Sequence, residues 1–262
     1  MTNKAQKLIN KSIRAFHHAR GSYPVKIDGL AFECNADHYR FWKRVAQGKW
    51  EPHTFKILSR FLTPDSVYCD IGAWIGPTVM FAARKCKLVY CFEPNPVSYS
   101  YLLWHIHGNK LWNVLPFQLA LADTEGIQRM APMRDKGGLG DSTASLLSTG
   151  TAGMNIFCMR WATWQKMIKP EKIDFFKIDI EGSEFSLLPE MESYLKQHRP
   201  ILYLSTHAHL LDANKSKNAM KGLLQILDFY QDCFDENLKR VDKDHLITDD
   251  VLGHSCSYVF TG

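Results

Sequence analysis

The chain reads as an α/β protein, a mainly parallel sheet with helices on both faces, and three observations predict it. Val67-Tyr-Cys-Asp70-Ile-Gly72-Ala-Trp74-Ile-Gly76-Pro77 is an apolar run that ends in an acid and two glycines. It leads through a helix-like segment to a second apolar run, Leu88-Val-Tyr-Cys-Phe, which ends in Glu93. The continuous apolar pattern of Ile173 to Ile180 is followed by a helical pattern and a further run, Ile201 to Ser205. At 262 residues without visible internal repeat, the length suits one large α/β domain or a core with a small appendage.

Taken in order, the basic stretch from Met1 to about Gly21 is helix-compatible. Pro24 to Cys34 holds an Asp28-Gly29 turn between short alternating runs, which predicts a hairpin. His38 to Leu62 reads as helix interrupted near Gly48 to Pro52, and Pro64-Asp65 stops it. The first sheet strand is Val67 to Ile71, and a helix runs from about Pro77 to Lys85, with Pro77 tolerated in its first turn. Leu88 to Phe92 is the second strand. The helix after Pro96 carries Tyr99, Leu102, Leu103 and Ile106 at helical spacing. Asn113 to Leu121 supplies the third strand, and Asp123 to Gly126 turns the chain. Residues 130–153 are poor in large apolar side chains and rich in Gly, Ser and Thr; a segment of that kind is either a lid over a substrate or a surface excursion. Ile156 to Met159 reads as a short strand and Trp161 to Ile168 as a short helix. Ile173 to Ile180 is the fourth strand, Ser183 to Gln197 a helix, and Ile201 to Ser205 the fifth strand. A helix over Lys217 to Phe229 precedes terminal strands at Leu238 to Val241 and Ser257 to Phe260, a candidate antiparallel pair at the sheet edge. Residues 1–62 are therefore expected to form a helical and hairpin extension, and 63–262 the main domain.

Composition removes several function classes. A hydrophobic share of 45% and a charged share of 23% are ordinary for a globular protein. Nothing approaches the roughly 18 consecutive apolar residues of a membrane span. The N-terminus lacks the apolar core of a secretory signal; a basic helix there either packs on the core or touches an acidic membrane surface. The net charge of +5 is spread along the chain, so a nucleic-acid partner is permitted but not indicated. The seven cysteines form no C-x-x-C pair and no metal-ligand spacing, which favours a reducing, cytoplasmic setting.

Ligands on open α/β sheets sit beyond the carboxyl ends of the strands. Those ends supply Asp70, Gly72 and Trp74; Glu93 and Asn95; Ala120 and Asp123; Asp179 and Glu181; and Thr206, His207 and His209. The glycine loop departs from the dinucleotide pattern: an acid precedes the first glycine and no third glycine stands in register. Asp70 would repel a pyrophosphate but suits an ammonium group, while Glu93 can accept both hydroxyls of a ribose. S-adenosylmethionine has that ammonium and ribose and no phosphate, so it is favoured over NAD as cofactor.

In Lys177-Ile-Asp179-Ile-Glu181-Gly182-Ser183-Glu184, the carboxylates of Asp179 and Glu181 share one side of an extended segment. They can orient a hydroxyl or hold a divalent cation, although no metal ligand is assigned. Ser183 and Glu184 suit the cap and first turn of the next helix. His207 and His209 share a side in the same way. His207, nearer the strand, is the preferred proton acceptor, oriented by Asp179 or Glu181.

Together, Trp50-Glu51-Pro52, the glycine loop Asp70 to Gly76, Phe92-Glu-Pro-Asn-Pro96, Ala120-Leu-Ala-Asp123, Lys177 to Glu184 and the histidine segment resemble the FkbM family of S-adenosylmethionine-dependent methyltransferases. The resemblance covers roughly Gly48 to His209. It implies a seven-stranded class I methyltransferase (Rossmann-like) fold and O-methylation of a sugar, glycan or related small-molecule hydroxyl. By position it implies that Asp70, Gly72 and Gly76 contact the methionine part, Glu93 the ribose, and that Ala120 lies beside the adenine, with Trp74 and Asn95 also counted among the cofactor-binding residues. Glu51 would approach the cofactor from the N-terminal segment. Trp74 stands where the family often carries a small polar residue, and Arg160-Trp161-Ala-Thr replaces a Thr-Leu-Asp-Asp-like stretch.

Overall fold

The computed structural model describes residues 12–13, 15–132, 144–148 and 153–262. Of the expected N-terminal helix, 12–13 and 15–20 are helical and the remainder lies outside the described residues. The hairpin forms as its turn predicts: β1 (Ser22–Ile27) pairs antiparallel with β2 (Leu30–Asn35), Ile27 opposite Leu30. Asp28 and Gly29 both take positive φ, 47° and 81°, which is what a two-residue hairpin turn requires. The interrupted helix is two helices, α1 (Tyr39–Ala46) and α2 (Pro52–Phe61), the second opening with Pro52 in its first turn.

The main sheet has seven strands. β3 (Val67–Ile71), β4 (Leu88–Phe92), β5 (Val114–Phe117), β10 (Phe175–Ile178) and β11 (Ile201–Thr206) run parallel. With β12 (Asp232–Asp235) and β13 (Cys256–Thr261) added, the order is β12-β13-β11-β10-β3-β4-β5. β13 is antiparallel to both neighbours. Every residue of β3 and of β10 is buried because helices cover both faces, so these strands read as unbroken apolar runs interrupted only by Asp70 and Lys177. The crossovers are α3 (Pro77–Ala83), α4 (Pro96–Gly108), α5 (Trp161–Ile168), α6 (Glu184–His198) and α7 (Ala213–Ile226). A short α8 (Asp249–Leu252) precedes β13.

Two expectations need correction, and one further sheet is added. The third strand does not run on to Leu121. It stops at Phe117, and β6 (Ala120–Leu121) leaves the main sheet to pair with β9 (Met154–Met159). β9 also pairs with β7 (Gly126–Pro132), which in turn meets β8 (Ala144–Ser145), giving a second sheet ordered β6-β9-β7-β8. β7 escapes a pattern reading because its apolar Ile127 faces solvent, 64% exposed. Near the C-terminus the strand is Asp232–Asp235, not Leu238 to Val241. Leu238 sits in a turn at φ 60°, where the Asp235 carboxylate accepts from the N–H groups of Asn237 and Lys239.

The two sheet faces carry separate cores. One joins Trp161, Trp164, Phe176, Leu187 and Leu204 under α5, α6 and α7. The other joins Phe81, Leu102 and Ile106 to Phe32, Trp42 and Val25, so the hairpin and α1 share a core with the sheet. His105 fastens them further, with its ring nitrogens on the Ile75 carbonyl (2.8 Å) and the Asn35 N–H (3.0 Å). Burial pushes its imidazole down to about 3, so it stays neutral.

Candidate functional site

The strand tips open into two adjoining hollows. The first, about 640 Å³, is lined by Gly72, Trp74, Glu93, Asn95, Ala120 and Ser145 among others. The second, about 850 Å³, is lined by Phe41, Arg44, Trp50 and Glu51 from the N-terminal segment and by Lys177 and Thr78. Gly72, Trp74, Asp179 and Glu181 line both.

The glycine loop is shaped by the protein's own packing. A Cβ on Gly72, at φ 93°, would stand 1.9 Å from the Asp179 carbonyl oxygen, a backbone atom that cannot swing away. One on Gly76, at φ 88°, would meet Leu102 at 2.5 Å. The glycines therefore serve β3 against β10 and the loop against α4, not the close approach of a ligand alone. Asp70 also differs from the expected ammonium contact. Its carboxylate is wholly buried, accepts from the Tyr68 and Thr78 hydroxyls (3.0 and 2.5 Å), and lies 3.4 Å from the Lys177 ammonium. Burial raises its pKa, and Lys177 opposes that rise. Lys177 is in turn raised, because the charges of Asp70, Asp179 and Glu51 outweigh its burial.

Glu93 follows directly on β4. It is 7% exposed and faces the first hollow; its Oε2 accepts from the Trp74 N–H and its Oε1 from the Asn95 N–H, each at 2.8 Å. Each oxygen keeps a further lone pair for a hydroxyl donor. Burial pushes it up to about 7 against those two hydrogen bonds. Asn95 caps α4, its Oδ1 accepting from the N–H groups of Val97 and Ser98. Ala120 lies between Leu119 and Leu121 in an apolar slot that Met130, Ala144 and Leu146 complete. The segment left open as lid or excursion thus contributes to the hollow through 144–146; residues 133–143 and 149–152 lie outside the described residues.

Asp179 and Glu181 do converge, but not by strand alternation, because β10 ends at Ile178. Glu181 takes a left-handed φ of 51°, its carbonyl accepting from the Ser145 hydroxyl at 2.6 Å. This turn brings its Oε2 to 3.8 Å from His207 Nε2, while Asp179 Oδ1 lies 3.6 Å from the same nitrogen. Glu51 and Trp74, at φ 38° and 48°, are two more left-handed residues in the same hollows, and such conformations collect where a site fixes its geometry. Glu51 lines the second hollow, which adjoins the first along Gly72, Trp74, Asp179 and Glu181. Surrounding protein and then the Asp179 charge push it up to about 7.

Glu184 is the first-turn acid of α6, and its side chain is also fully buried, which gives it a second role that the sequence does not show. Oε2 accepts from the Gly182 N–H (2.8 Å) and Oε1 from the His207 N–H (2.6 Å), with His207 Nδ1 3.3 Å away. Ser183 makes no side-chain cap. The signal that could have found Glu184 is the pairing of β10 beside β11, which sets the start of α6 against the residue after β11. Burial would lower His207, but Glu184, Asp179 and Glu181 outweigh it and push the imidazole up to about 9. His209 is carried outward by a 3₁₀ turn and stays outside this cluster.

Residues 70–234 match the family model described as the Methyltransferase FkbM domain. A Saccharomyces cerevisiae tRNA (guanine(37)-N(1))-methyltransferase is 28% identical over 99 residues, 34% of this chain and 20% of that protein. Among solved structures, an FkbM methyltransferase from Methylobacillus flagellatus has a TM-score of 0.47 at 14% identity, covering 85% of this chain and 62% of that one. An rRNA methylase from Streptococcus thermophilus has a TM-score of 0.44 at 10% identity, covering 80% and 92%. The chain thus spans a fifth of the yeast relative and under two thirds of the Methylobacillus protein. No helix among the described residues is long and apolar enough to cross a membrane.

Proposed function

The chain belongs to the FkbM methyltransferase family, and from that premise we propose that it moves the methyl group of S-adenosylmethionine to a hydroxyl oxygen of a sugar, glycan or related small molecule. The observation that carries this reading is the pair of hollows joined along Gly72, Trp74, Asp179 and Glu181. One is an apolar slot with a single buried carboxylate at its side; the other is a more polar cleft that sets charged side chains beside Phe41, Trp50 and Trp74. When bound, the cofactor supplies a methyl group already activated by a sulfonium.

Glu93 takes the ribose hydroxyls on the lone pairs left after its two backbone donors, and Ala120 and its neighbours take the adenine. Gly72 and Trp74 lie along the methionine part, with Asp70, paired to Lys177, fixing the loop from behind. Residues 1–62 act as an extension of the main domain, lending Phe41, Trp50 and Glu51 to the acceptor side. The protein's task is then alignment of oxygen, methyl carbon and sulfur with water kept out. The acceptor hydroxyl faces Asp179, Glu181 and His207, and its proton leaves to that cluster.

By its name the yeast relative acts on a tRNA guanine, so RNA is the second acceptor class. The test is incubation with cofactor labelled on its methyl group and a panel of glycans, small alcohols and tRNA. Label on a glycan or alcohol oxygen supports the reading. Label on tRNA alone, or on nothing while the cofactor still binds, overturns it.

A further inference from the structure

Three donor atoms converge where the two hollows meet: Asp179 Oδ1, Glu181 Oε2 and His207 Nε2 all lie within 4.8 Å of one another. Two are 3.6 and 3.8 Å from the imidazole nitrogen. Donors bound to one first-row divalent cation at about 2.1 Å stand roughly 3.0–3.4 Å apart. From the nitrogen a closure of a few tenths of an ångström is enough, and the two carboxylate oxygens, within 4.8 Å of each other, close further by side-chain rotation. The carboxylates are the more exposed partners, 26% and 22% against 5% for the ring, and Asp179 Oδ2 also lies 3.5 Å from the Lys177 ammonium.

The imidazole is already held as a ligand needs to be. Glu184, with no exposure, sits 3.3 Å from Nδ1 and takes the hydrogen there, so that a cation bound between the two carboxylates would replace the proton on Nε2. Glu184 is fixed in turn by the N–H groups of Gly182 and of His207 itself. A carboxylate behind the ring and two in front of it is a common arrangement of a metal-binding histidine.

We infer that Asp179, Glu181 and His207 form a divalent-cation site, with Glu184 as its positioning residue. Mixed imidazole and carboxylate donors suit Mn²⁺, Fe²⁺ or Zn²⁺. Three protein donors leave further positions open towards both hollows. The role rests on the function proposed above: the cation holds the acceptor oxygen beside the methyl donor. Cation binding itself does not depend on that reading.

The test is Mn²⁺ alone added to the full chain, followed by calorimetry and by loss of the free-ion electron paramagnetic resonance signal. One site per chain is expected. Asp179→Asn and Glu181→Gln should each weaken it more than tenfold, and Glu184→Gln by about 10–100-fold. The thermal unfolding transition of each variant, measured in parallel without added metal, should stay cooperative, which reports that the variant is folded. Absence of binding at millimolar Mn²⁺, or binding that Asp179→Asn and Glu181→Gln leave intact, overturns the inference. Mn²⁺ binding without methyl transfer to any acceptor would sink the proposed reaction and leave the cation site standing.

Discussion

The two hollows differ in how they are built. The slot holding Glu93 draws its polar group and its loop from consecutive strand ends, β3 and β4, and its carboxylate is fixed by two backbone donors. The neighbouring cleft gathers Phe41, Trp50 and Glu51 from the N-terminal segment against residues more than a hundred positions later. The polar end of the first is a local product of strand, turn and strand, while its apolar walls come from residues 119–121, 130 and 144–146. The second exists only because the hairpin, α1 and the sheet share one core. A site of the first kind suits a ligand that stays constant across many proteins; the second can change its acceptor by changing the appended wall.

The largest effect should come at the junction of the two. His207→Ala removes the ring that Glu184 orients and that Asp179 and Glu181 face. Loss of such proton-transfer assistance typically lowers rate by about 10²–10⁴-fold. We expect turnover to fall by that order while S-adenosylhomocysteine affinity, read by calorimetry, stays within a factor of about two. Equal losses in both would erase the distinction between the hollows.

Next is the slot alone. Glu93→Gln keeps the shape but replaces a charged acceptor, and hydrogen bonds to charged groups contribute about 1.5–3 kcal/mol. The cofactor dissociation constant should rise by about 10–100-fold. The acceptor KM, measured at saturating cofactor, should not move. The same carboxylate sets a pH dependence. Burial has raised it to about 7, so it is protonated below that pH and ionised above. Only the ionised form accepts from two ribose hydroxyls while keeping both backbone donors. Affinity should thus be full above pH 7 and fall towards tenfold per pH unit below it. A flat profile from pH 6 to 8 would remove Glu93 from the ribose.

Legibility in the sequence follows the same division. β3, the glycine loop, β4 and Glu93 are contiguous, and their chemistry is set by spacing, so a pattern reading places them. The hairpin was equally plain, because Asp28 and Gly29 permit little else. Asp70 misled, since its partner is Lys177 on the adjacent strand, opposite it in register, and that pairing is not visible along the chain. Glu184 is legible as a first-turn acid, but its hold on His207 is hidden for the same reason, because only the fold shows that β11 ends beside it. The second sheet was hidden by solvent-facing Ile127 and Phe157, which stand opposite each other and blur the alternation that marks a half-buried strand.

The smallest expected effect tests the appended wall. Trp50 meets Phe41 edge-on at 5.0 Å, and Phe41 meets Trp74 edge-on at 4.7 Å, so a continuous aromatic surface runs from the N-terminal segment to the glycine loop. Aromatic contacts of this kind contribute about 0.5–1.5 kcal/mol each. Trp50→Ala should therefore raise the acceptor KM by only about 2–10-fold, with cofactor affinity and turnover at saturating acceptor nearly unchanged. Trp50→Phe should restore most of the loss, because a smaller ring still covers part of the wall. If Trp50→Ala instead weakens the cofactor and leaves the acceptor KM alone, the N-terminal segment serves the slot, and the second hollow is not where the acceptor lies.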